Sequence, residues 1–98
     1  MKGYFGYRIR SLREKQHLFL RQVAPLLEMD AAQLSKIEKG VRQIKREHIP
    51  ALASALNVKY EELLTIWLAD QVMNLIGEEE VALKAIQVAE KAITTQKK

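Results

Sequence analysis

The chain contains no cysteine. That excludes disulfide staples, thiolate zinc sites and thiol nucleophiles, and it fits a reducing, cytoplasmic setting. Only four glycines and two prolines occur in 98 residues. With so few turn-formers, and with Ala, Leu, Glu, Lys, Gln and Ile filling most positions, the expected class is all-α. No apolar run approaches the roughly 18 residues needed to span a membrane. The longest stretch, LLTIWLADQVMNLI, is broken by Asp70, Gln71 and Asn74. The opening MKGYFGYRIRSLREK lacks the uninterrupted apolar segment of a secretory signal. His17 and His48 have no neighbours at metal-ligand spacing, and no phosphate-binding glycine loop, HExxH motif or nucleophile elbow occurs. No enzyme, metal, cofactor or small-molecule ligand is therefore expected.

What is present is the mix of a soluble globular domain: 48% apolar and 29% charged residues, enough for one domain with a modest core. The net charge of +4 is unevenly spread. Residues 1–60 hold twelve Lys/Arg against five Asp/Glu, whereas residues 61–98 hold four against seven. A basic first part points to a polyanionic partner, and an acidic second part points to a different task. An ordinary solvated surface is the plainer alternative.

Apolar spacing divides the chain into six helical segments. The first covers about Tyr4 to Lys15, with Phe5, Ile9 and Leu12 on one face. The second covers Leu20 to Leu27, with Leu20, Val23, Ala24 and Leu27 inward. Asp30 is suited to cap a third, which carries Leu34 and Ile37 inward and stops at Gly40. After the basic loop VRQIKR, the fourth covers about Glu47 to Leu56. The fifth, Tyr60 to Ile76, is apolar on more than one side and so needs more than one packing partner. Gly77 and three glutamates lead into the sixth, which carries Val81, Ala85, Ile86, Ala89 and Ile93. The closing residues 95–98 are expected to fray.

The second and third segments are joined only by Glu28, Met29 and Asp30. Two short helices joined so closely must cross steeply, as in a helix-turn-helix. The segments IRSLRE, VAPLL, LSKIEKG and LASALNVKYEEL, in that order and spacing, resemble the lambda-repressor/Cro-like (XRE) helix-turn-helix family over roughly residues 6–64. The resemblance implies a compact five-helix domain whose third helix enters the DNA major groove. It also implies that Glu38 pairs with an arginine of the first helix, Arg13 or else Arg10. Three positions depart from the family pattern. Phe19 and Leu20 replace a Ser/Thr cap and a phosphate-contacting Gln, with Arg21 or Gln22 left to compensate. Pro25 lies inside the second helix. Glu28 replaces a turn glycine, which strains the backbone if φ is positive there. The rest of the chain resembles, more weakly, the tail of small controller-like bacterial regulators found beside restriction–modification genes.

Within this motif the candidate base contacts are Ala31, Ala32, Gln33 and Lys36. Gln can pair with adenine, Lys can donate to guanine, and an alanine methyl can meet a thymine methyl. The alternative is a solvated helix face. Candidate backbone contacts are Arg21, Gln22, Ser35, Lys39, Arg42, Lys45 and Arg46, which would set register without reading sequence.

The expected domains are a DNA-binding domain over 1–64, a helical extension over 65–94 and a frayed tail over 95–98. In the extension, Trp67, Val72, Leu75, Ile76, Ile86 and Ile93 form either a second intrachain core or, the favoured expectation, a homodimer interface. The leading function is a dimeric transcription regulator on double-stranded DNA. The alternative is a protein-interaction module, an adaptor or antitoxin-like partner, in which DNA binding is secondary or lost.

Overall fold

The computed structural model describes residues 3–97, leaving Met1 and Lys2 of the expected first domain and Lys98 of the expected tail outside it. Among the described residues there are six α-helices and no strand. They are α1 (Phe5–Lys15), α2 (Leu20–Val23), α3 (Ala31–Glu38), α4 (Ile49–Ala55), α5 (Tyr60–Ile76) and α6 (Ala82–Gln96). Short 3-10 segments extend α2 over Ala24–Leu27 and lead into α4 over Arg46–His48. The all-helical class holds, and the boundaries of α5 fall where the apolar pattern places them.

One apolar core collects the inward faces of α1 to α5: Phe5, Ile9 and Leu12, then Val23, Ala24 and Leu27, then Leu34 and Ile37, then Ile49, Leu52, Ala53 and Leu56, with Leu63 from α5. Each helix thus buries the stripe that its 3.6-residue period predicts, and full burial of one such large side chain contributes about 1.5–3 kcal/mol. Ala24 is fully buried between α2 and α3, where a larger side chain would push them apart. Gly6 does the same for α1: an added Cβ would lie 2.5 Å from the Ile37 carbonyl oxygen and 2.6 Å from that of Glu38.

Two departures from the simple pattern have local causes. Pro25 has no N–H to donate, and the second helix tightens from α to 3-10 geometry from Ala24 onward. The helical conformation of α6 runs through Gln96, into the residues expected to fray, and Thr95 Oγ1 donates to the Lys91 carbonyl at 2.9 Å.

The core stops at the first turns of α5. Beyond them α5 and α6 form a helical hairpin, and no residue of α6 is buried.

Candidate nucleic-acid interface

The α2–α3 unit is held from within. Asp30 Oδ1 accepts from the Gln33 N–H at 2.7 Å, as expected of the cap. Glu28 occupies the left-handed region at φ 56°, the strained position anticipated for a turn that lacks glycine. Phe19 stands at the N-cap of α2 and has no oxygen to offer the free N–H groups. The compensation runs the other way, because Gln22 Oε1 accepts from the Phe19 N–H at 2.7 Å. Arg21 stacks on the Phe19 ring, its guanidinium carbon 4.5 Å from the ring centre.

Below α3, Glu38 is buried and bridged to Arg13 by two bonds of 2.7 and 3.0 Å. A third bond, from Arg13 Nη1 to the Leu18 carbonyl at 2.7 Å, ties in the turn before α2. Donating to the Glu38 carboxylate raises the Arg13 pKa against the opposing effect of burial. Arg10, the other candidate partner, instead faces Glu14 on the surface.

The outer side of α3 carries the expected base contacts Ala31, Ala32, Gln33 and Lys36 and the expected backbone contacts Ser35 and Lys39. Ala32, Lys36 and Lys39 are exposed, and Ala31, Gln33 and Ser35 are half-buried. Gln33 is partly covered because it borders a shallow cleft shared with Arg42, Gln43, Lys45 and His48. The recognition helix and the basic loop therefore present one continuous surface. Gln43 and His48 belong to it, although neither stood out in the sequence as a DNA contact. A polar residue flanked by cations in VRQIKR was the available signal for Gln43.

The loop's path is set at three points. Gly40, at φ 77°, turns the chain out of α3, and the Val41 and Arg42 N–H groups both close on the Lys36 carbonyl, at 3.0 and 3.2 Å. Ile44 is buried, whereas Val41, Arg42, Gln43, Lys45 and Arg46 around it are exposed. From α5, Trp67 Nε1 donates to the Ile44 carbonyl at 2.9 Å.

The arginines of α1 and the cations around α3 differ in their pairing. Arg8, Arg10 and Arg13 of α1 are paired with Glu62, Glu14 and Glu38. Arg21, Lys36, Lys39, Arg42, Lys45 and Arg46 are all exposed, and none is in an ion pair among the described residues. The three arginines of α1 are thus paired, whereas the cations around α3 are free of ion pairs among the described residues.

Of the residues expected at a dimer interface, Val72, Leu75, Ile86 and Ile93 are exposed and Ile76 is half-buried. Trp67 is turned inward, packed on the core edge with its N–H taken by the loop.

Two short helices joined by a tight turn, with exposed cations around the second, have the arrangement of a helix-turn-helix domain. Residues 9–63 match the family described as Helix-turn-helix. The chain belongs to that family, in its lambda-repressor-like (XRE) form. It is also 41% identical over 61 residues to the HTH-type transcriptional repressor RghR of Bacillus subtilis (strain 168). That similarity spans 61% of this chain and 45% of RghR, so the chain corresponds to less than half of that relative. No solved structure matches the chain. No helix among the described residues is long and apolar enough to cross a membrane.

Proposed function

We propose that this chain is a transcriptional repressor that binds a pseudo-palindromic operator as a homodimer. The observation that carries DNA binding is the set of six exposed, unpaired cations around α3. In the proposed complex, Gln33 and Lys36 read base edges, with Ala31 and Ala32 against thymine methyls. Arg21, Gln22, Ser35, Lys39, Arg42, Lys45 and Arg46 contact the phosphate backbone. With so few polar readers, phosphate contacts and DNA shape carry much of the affinity. Repression follows from occupying the operator, and RghR, the similar protein, is itself named a transcriptional repressor.

The dimer reading rests on the hairpin. Leu68, Val72 and Leu75 form an exposed stripe on α5, and Val72 borders an apolar groove with Ile86, Ala89 and Ile93 of α6. A helix of this length is marginal in water without a partner. Together with Val81, Leu83 and Val88, eight large apolar side chains lie exposed on this hairpin. A twofold dimer on such an operator needs its two copies of α3 about 34 Å apart, one DNA turn.

Selection of bound sites from random duplexes tests the whole reading. Enriched inverted repeats with half-sites one turn apart are the expected result. Enrichment of single half-sites would remove the dimer, and no duplex affinity at low salt would leave the interaction-module alternative.

A further inference from the structure

We propose that Trp67 is a positioning residue for DNA binding: its indole N–H orients the Ile44 peptide so that the 40–46 loop presents Arg42, Lys45 and Arg46 to phosphates. The proposal rests on the DNA-binding reading above. Its physical basis is the difference between two anchors on one residue. Burial of the Ile44 side chain fixes where the loop touches the core, but apolar contact is non-directional and leaves the peptide plane free to rotate. A hydrogen bond of 2.9 Å from Trp67 Nε1 to the Ile44 carbonyl supplies the missing direction. The same peptide carries the Lys45 N–H. Its orientation therefore fixes ψ of Ile44 and φ of Lys45, and with them the direction in which Lys45 leaves the loop. The start of the loop is already held by the Lys36 carbonyl, and its end enters the Arg46–His48 turn. Trp67 acts on the stretch between these two ends.

Trp67 also lies on the core side of α5, while Leu68 and Val72 stand on the outer stripe. The helix proposed to bring two copies together is thus the one that braces the phosphate-binding loop of each.

The chain has a single tryptophan. Supplying benzothienylalanine in its place during expression therefore alters only residue 67, keeping the ring shape and replacing the N–H by sulfur. Trp67→Phe serves as a second variant. Each is compared with wild type by thermal melting, by anisotropy titration of a selected duplex across a salt series, and by amide exchange of residues 41–46. The expected result is a folded protein with faster exchange in the loop and duplex affinity lowered about three- to tenfold, the net size of one hydrogen bond. The salt slope should be shallower by about one phosphate contact. In an Arg42→Ala/Lys45→Ala background the same replacement should have little further effect on affinity. Unchanged loop exchange, an unchanged salt slope, or an undiminished effect in that background would each overturn the positioning role. If wild type itself binds no duplex, the DNA reading fails separately, and loop exchange still decides whether Trp67 orders the loop.

Discussion

Arg13 and Glu38 show how much one buried pair can hold together. Two bonds join them, and a third reaches the Leu18 carbonyl, so α1, α3 and the turn before α2 meet at a single guanidinium. Removing one partner strands the other charge in the interior. Glu38→Ala is expected to cost about 3–5 kcal/mol, read as a lower denaturant midpoint in chemical unfolding. The outward residues of the same helix should behave in the opposite way. Gln33→Ala and Lys36→Ala should leave unfolding nearly unchanged. Each should narrow the gap between operator and random duplex by about 1–3 kcal/mol, measured by competition titration. Equal loss on both duplexes would make these residues phosphate contacts.

At the scale of elements, the start of α1 has an unusual support. Tyr4 gives no local side-chain cap, and no acidic residue lies in the first turn. The Asp70 carboxylate of α5 supplies both functions from 65 and 66 residues away, accepting from the Tyr4 and Phe5 N–H groups at 2.8 and 2.9 Å. Asp70→Ala should therefore lower stability by about 1–2 kcal/mol in chemical denaturation and loosen the first turn of α1 in amide exchange. In the sequence Asp70 only interrupts an apolar run. A charged residue in such a run has a structural partner elsewhere, and nothing local to the run says where. By contrast, Pro25 and Gly40 mark their effects in the sequence, since a missing N–H and a positive φ act on the residue that carries them.

The whole molecule has a satisfied half and an unsatisfied half. The domain through Leu63 closes its own core, and the α5–α6 hairpin leaves an apolar groove open. Ile86→Glu with Ile93→Glu places charge in that groove at positions that are already exposed. The domain should still fold, while sedimentation at micromolar concentration should shift from dimer to monomer. Binding to a full inverted repeat should weaken far more than binding to one half-site. A monomeric wild type would remove the dimer interface from the reading. Raising salt should weaken duplex binding steeply in either case, because the free cations around α3 displace counterions when they meet phosphate.

Local chemistry was sufficient for much of this protein. The 3.6-residue spacing of Phe5, Ile9 and Leu12, of Leu34 and Ile37, and of Leu52 and Leu56 identifies both the helices and their buried faces. Asp30 and Gly40 bound the third helix by their own conformational preferences. The free outer side of α3 follows from the same periodicity. Other features depended on how the helices are rotated and how closely they approach. Arg10 and Arg13 stand one turn apart, and only the seating of α1 on α3 selects Arg13 for Glu38. Trp67 fits an apolar interface by its type, yet the approach of α5 to the loop turns its N–H toward Ile44. Asp70 reaches the start of α1 only because α5 packs across it. A helical period reports which side of a helix is apolar, and only tertiary packing decides which polar atom on that helix comes within bonding distance of another.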